Sequence, residues 1–121
     1  MDVKEFMDFV EKSIELDEWV THTGFSNYSK ELKKETIELN EAIEKKDYKH
    51  AMEELGDILY DWMHTVKLAE RDGHFTVEEL LEFTLKKFNK RKPYIKENRK
   101  VSKEESVKIW YDIKKEENAE K

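Results

Sequence analysis

Apolar residues recur along most of this chain at three- and four-residue intervals, a pattern that predicts helices and no strands. Val3, Phe6, Met7, Val10 and Ile14 mark the first helix, with Asp2 and Glu5 placed as a capping pair and an end expected near Trp19 to Thr21. Thr23 to Asn27 reads as a loop, where Ser26, Asn27 or Ser29 is available to cap the next helix. That second helix carries Leu32, Leu39, Ala42 and Ile43. A third carries Met52, Leu55, Ile58, Leu59, Trp62, Met63 and Val66 as its expected buried stripe. Lys45-Lys46-Asp47 between them is short enough for an antiparallel hairpin, with Asp47 as the cap of the third helix. Asp72-Gly73 ends that helix, and Thr76-x-x-Glu79 opens a fourth with Val77, Leu80, Leu81, Thr84 and Phe88 inward. Pro93 stops it. After a polar loop from Ile95 to Val101, Ser102-x-x-Glu105 opens a fifth helix bearing Val107, Trp110 and Ile113, and Glu116 to Lys121 are expected to fray. The expected fold is all-α, an antiparallel bundle of about five helices forming one domain over 1–121.

The hairpin brings acidic pairs together. Glu35 and Glu38 lie on its first helix, Glu54 and Asp57 on its second. Counted from a turn centred near Lys46, Glu38 and Glu54 are each eight residues away and Glu35 and Asp57 each eleven, so the pairs reach matching heights. Two like charges about 4 Å apart repel by roughly 4 kcal/mol at an effective dielectric near 20. A divalent cation would relieve this, and oxygen-only ligands suit Mg²⁺, with Mn²⁺ fitting a similar set. Spacing alone leaves solvated or ion-paired faces open, since 29 acidic residues in 121 would place about seven such pairs by chance. Position favours a site, because Glu54 and Asp57 flank the apolar stripe instead of lying opposite it. Asp61 would extend the acidic line, and Gly56, costly inside a helix, points to close approach by a backbone or a ligand.

Composition adds three constraints. With 43% charged and 37% hydrophobic residues, the core is thin, so a homodimer or homotetramer is expected to complete the burial. No cysteine is present, which removes disulfides and thiolate metal sites, and no apolar run is long enough for a span or signal peptide. A soluble cytoplasmic protein with no membrane partner is the expectation. The net charge of −6 is uneven. Glu31 to Asp61 holds ten acidic and five basic residues, whereas Lys86 to Lys115 holds twelve basic and four acidic. Such segments would suit a metal ion and a polyphosphate respectively. The basic run lacks an RNA-binding signature or a helix-turn-helix, so nucleic acid is not the expected partner. His22, His50, His64 and His74 are scattered, Asp61 to His64 being only a near miss to a di-iron motif, and no Walker loop or dinucleotide fingerprint occurs.

Several ordered motifs resemble the MazG type of all-α nucleoside triphosphate pyrophosphohydrolase. Glu35-Thr36-Ile37-Glu38 and Glu53-Glu54-Leu55-Gly56-Asp57-Ile58-Leu59 are similar to its ExxE and EELGD phrases. Gly73 to Leu81 resembles its GxFTLEDVL stretch, Lys87 to Tyr94 its KLxRRHPH segment, and Trp110 to Lys114 its WxxIK. Trp19 stands sixteen residues before Glu35, at the spacing of the family's CPWD tryptophan. The resemblance covers roughly Trp19 to Lys114. It implies Mg²⁺-dependent cleavage of a nucleoside triphosphate between the α and β phosphorus, with Glu35, Glu38, Glu54 and Asp57 holding the ion and Glu38 as base. It further implies substrate contacts from Lys87, Arg91, Trp110 and Lys114, joined by Trp19, His50 and Asp61. Departures bear on substrate choice: Lys34 replaces an acid, Lys92 and Tyr94 replace histidines, and the Cys-Pro before Trp19 and the Asp after it are missing. Relatives in fold act on dUTP, dCTP or phosphoribosyl-ATP, so a narrow preference remains open, as does a non-catalytic helical regulatory module.

Overall fold

The computed structural model describes residues 1–120, and among them are seven α-helices and no strand. Lys121, the last residue of the tail expected to fray, lies outside the described residues. The five expected helices are α1 (Val3–Leu16), α3 (Phe25–Glu44), α4 (Tyr48–Arg71), α5 (Val77–Arg91) and α7 (Lys103–Ala119). Two single turns, α2 (Glu18–Thr21) and α6 (Pro93–Lys96), are additions.

Local chemistry explains both the agreements and the differences. Asp2 caps α1 by accepting the Glu5 N–H at 3.1 Å, but α1 stops at Leu16 instead of running to Trp19. Asp17 turns the chain extended there, and its carboxylate accepts the Trp19 N–H at 3.1 Å to start α2. None of Ser26, Asn27 or Ser29 caps α3. Gly24 occupies the cap position without a side-chain bond, and the Ser29 hydroxyl donates to the Ser26 carbonyl instead. Asp47 caps α4 as expected, accepting the His50 N–H at 3.2 Å. The hairpin turn places Lys46 in the left-handed region at φ 59, and Gly73, at φ 82, lets the chain leave α4. Pro93 ends α5 but sits in the first turn of α6, where its missing N–H costs nothing, so part of the expected loop is helical. Ser102 caps α7 by accepting the Glu105 N–H at 3.2 Å. That helix persists to Ala119, beyond the expected point of fraying, and Glu117 on it pairs with Arg91 at 2.9 Å.

The chain forms two compact units, one from Met1 to Val77 and one from Glu78 onward. In the first, α3 and α4 make the antiparallel hairpin, α1 packs on both α2 and α4, and Arg71 of α4 donates to the carbonyls of Thr21 and Thr23. Val20, Tyr28 and Leu68 form the core, with Ile14, Phe25 and Tyr60 packed around it. His64 is fully buried there, stacked on Tyr28 at 4.8 Å. Its Nδ1–H donates to the Tyr60 carbonyl at 2.8 Å, and its Nε2 accepts from the Ser13 hydroxyl at 3.1 Å. Burial holds its pKa below the usual histidine value, which fits a neutral ring in a structural role. Lys67 is also buried, paired with Glu11 of α1.

The expected stripe on α4 is only half right. Met63 and Val66 are buried, but Met52, Leu55, Leu59 and Trp62 are exposed. Before Met63 the buried residues of α4 are Ala51, Glu54 and Asp61, two of them acids that meet α3. In the second unit no residue of α5 or α7 is buried, and Tyr94 of α6 is, its hydroxyl bonded to Ser106 at 2.9 Å. Leu81 and Phe88, expected to point inward, are exposed. No helix among the described residues is long and apolar enough to cross a membrane.

Candidate metal and phosphate site

The acidic side chains of the hairpin meet between α3 and α4. Glu38 of α3 lies within hydrogen-bonding reach of Glu54 of α4, the pairing expected from equal distance to the turn. One turn further out, Glu35 reaches Asp61, with Asp57 close enough to repel Glu35, Glu54 and Asp61. Asp61 is therefore a full member of the cluster and not only its extension. Its position four residues after Asp57 and seven after Glu54, one helical face, was the signal for this.

The electrostatics are those of charge held in a poor environment. Burial, then Asp61, Asp57 and Glu54, push the Glu35 carboxyl from its ordinary value up to about 8. Asp61 is raised chiefly by burial, against a lowering influence of the nearby Glu35 carboxyl. Glu54 is raised too, by burial and then by Glu38, against an opposing hydrogen bond from His50. Among the described residues, none of the five acids is paired with a lysine or arginine, and His50 Nε2 lies 3.2 Å from Glu54 Oε1.

Whether these residues fit a cation can be judged from their oxygens. Glu35 Oε2, Glu54 Oε2 and Asp61 Oδ2 are buried and have no hydrogen-bond partner. Buried carboxylate oxygens are costly to leave unsatisfied, and an all-oxygen donor set suits a hard divalent ion such as Mg²⁺ or Mn²⁺. The residues fit. They converge in pairs, however: among the described residues no three acidic or histidine side chains are already grouped to hold an ion. Side-chain rotation about the fixed helices would have to complete the set.

The remaining candidates fall into two places. Trp19, in the first unit, is 67% exposed and meets Tyr28 edge-on at 6.1 Å. Lys87, Arg91, Trp110 and Lys114 belong to the second unit. Phe83, Lys86, Lys87, Lys90 and Arg91, with Glu117, line a cleft of about 430 Å³ there. Lys87 and Lys114 are exposed. Arg91 is held: its guanidinium bonds Glu117 and lies 4.9 Å over the Trp110 ring. Glu117, unremarked in the sequence because its partner is 26 positions away, thus shares the charge expected to meet phosphate.

Comparison with known proteins accounts for this arrangement. The family model described as the MazG nucleotide pyrophosphohydrolase domain matches residues 23–96. Bacillus subtilis YabN, an uncharacterized protein, is 35% identical over 100 residues, covering 82% of this chain and 20% of its own length. The Thermotoga maritima nucleoside triphosphate pyrophosphohydrolase/pyrophosphatase MazG is 34% identical over 107 residues, covering 88% of this chain and 40% of its own. The chain thus spans less than half the length of these relatives. The crystal structure of a mazG-related protein from Thermotoga maritima superposes with a TM-score of 0.84 at 29% identity, over 93% of this chain and 98% of that one. With the family model matched over more than half its length, the chain belongs to the MazG nucleotide pyrophosphohydrolase family.

Proposed function

We propose that the protein hydrolyses nucleoside triphosphates, ribo- or deoxyribo-, between the α and β phosphorus to give the monophosphate and pyrophosphate. The observation that carries this is the group of five carboxylates, unpaired by any lysine or arginine among the described residues and with three buried orphan oxygens, in a chain of this family. Glu35, Glu38, Glu54 and Asp57 would hold Mg²⁺, with Asp61 beside them. Bound there, the ion neutralises phosphate charge and makes an attacking water more acidic. Glu38 is proposed to take that water's proton. Lys87 and Lys114, both exposed, are proposed to meet the phosphates, and Trp19 and Trp110 are proposed to offer ring faces for a base.

The working unit is proposed to be a homodimer or homotetramer. Met52, Leu55, Leu59 and Trp62 form one exposed apolar row, and Leu81, Leu85 and Phe88, at i, i+4 and i+7 of α5, form a second. Full burial of such side chains is worth about 1.5–3 kcal/mol each.

A panel of ribo- and deoxyribonucleoside triphosphates incubated with Mg²⁺ tests the activity. The products expected are pyrophosphate and monophosphate, and the panel reads out any preference for dUTP or dCTP. Orthophosphate in their place contradicts the assignment. A folded Glu38→Gln variant retaining full turnover removes Glu38 from the role of base.

A further inference from the structure

His50 stands one turn before Glu54 on α4, and the resemblance set it among substrate contacts. The geometry gives it a different task. A carboxylate only accepts hydrogen bonds, so the 3.2 Å contact between His50 Nε2 and Glu54 Oε1 puts the hydrogen on Nε2. This engages one oxygen of Glu54 and leaves the other, Oε2, buried and without a partner. His50 is itself anchored, because its backbone N–H is bonded to the capping carboxylate of Asp47. Asp47, His50 and Glu54 therefore form a chain of contacts running from the hairpin turn into the acidic cluster. Asp47, Lys49 and Glu53 surround the ring, and among the described residues neither lysine nor arginine competes with it for Glu54.

His50 is 48% exposed but Glu54 is buried, so the bond satisfies an acceptor whose loss carries a folding cost. A group that fixes the orientation of a metal-binding carboxylate from outside also commonly controls affinity by 10- to 100-fold.

We propose that His50 is a positioning residue, whose Nε2–H holds Glu54 by Oε1 so that Oε2 is presented to the divalent ion. This rests on the reading of the acidic cluster as a metal site. Glu54 then meets the ion already oriented, and the rotation the other acids must undergo is not required of it. Nothing in the role needs His50 to touch nucleotide.

Mn²⁺ binding, followed by electron paramagnetic resonance on the full chain without nucleotide, tests it. His50→Ala is expected to weaken Mn²⁺ binding by about tenfold, and His50→Gln, whose amide N–H can also donate to Glu54, to recover most of the loss. Metal-free melting temperature is read beside it, because removing the donor to buried Glu54 costs stability in His50→Ala that His50→Gln should restore. If the parent binds Mn²⁺ and His50→Ala binds it equally well while KM for the nucleotide rises, His50 is a substrate contact and the positioning role is overturned. If the parent binds no Mn²⁺, the metal reading falls first and this role with it. Should His50→Ala melt early, His50→Gln decides: affinity near that of the parent supports donation from position 50, and a tenfold loss overturns it.

Discussion

Replacing Glu35 by Gln should stabilise the metal-free protein at pH 8 and leave it almost unchanged at pH 5. The Glu35 carboxyl is raised from 4.5 to about 8 by burial and by its acidic neighbours. A carboxyl with a raised folded value binds its proton more tightly in the native state than in the unfolded chain. Native stability therefore falls as pH climbs from about 4.5 to about 8 and is level above that. At 1.36 kcal/mol per pH unit the displacement converts to a ceiling of about 5 kcal/mol. Glu35 is only partly buried, so solvent and counter-ions screen the charge, and about 1–2 kcal/mol is the working expectation.

Gln removes the charge yet keeps a donor for Asp61, as the protonated acid does. With about 3–5 °C per kcal/mol for a chain of this size, the variant in chelator should melt roughly 3–10 °C above the parent at pH 8. At pH 5, where the parent's Glu35 is already protonated, the two should nearly coincide. Mg²⁺ should raise the parent's melting temperature at pH 8 and that of the variant much less. Differential scanning calorimetry at both pH values, with and without Mg²⁺, reads all four numbers. A variant less stable than the parent at pH 8, or a difference independent of pH, refutes the account of the cluster as strained charge awaiting a cation.

Two further substitutions probe the scaffold. Lys46→Gly should add about 0.5 kcal/mol in urea denaturation, since φ 59 strains a side chain by about 1–2 kcal/mol and the greater unfolded freedom of glycine returns part of that. Gly56→Ala should gain about 1 kcal/mol of helix stability in the dilute protein, because the added Cβ meets nothing within 4 Å in its own chain. Sedimentation of the same variant should show weaker self-association, as Gly56 shares the bare face of Met52 and Leu59; unchanged association would separate that face from the proposed oligomer.

Much of the helical framework was legible because its signals are local. Asp2, Asp47 and Ser102 each bond an N–H two or three positions into the helix they open, and such contacts depend on nothing far along the chain. The differences arise where a neighbouring rule competes. Asp17 is as good a cap as Asp2, so it breaks the continuation toward Trp19. Pro93 forbids the middle of a helix but suits its first turn, and so it both ends α5 and begins α6.

The acidic group was legible for a related reason, and the covered face of α4 was not. Distance from the turn set Glu38 against Glu54, since a helical hairpin is a ruler with a fixed rise. Periodicity, however, separates the faces of a helix without saying which is covered. Along α4 the apolar row Met52, Leu55, Leu59 and Trp62 is exposed, while Glu54 and Asp61 are buried against α3. An inverted arrangement of this kind is expensive for a lone chain twice over, in exposed apolar surface and in buried charge. Both costs vanish together if a second copy covers the row and a cation enters the cluster. The stability of the fold, its self-association and its divalent-ion binding are then linked quantities, and each should rise with the others.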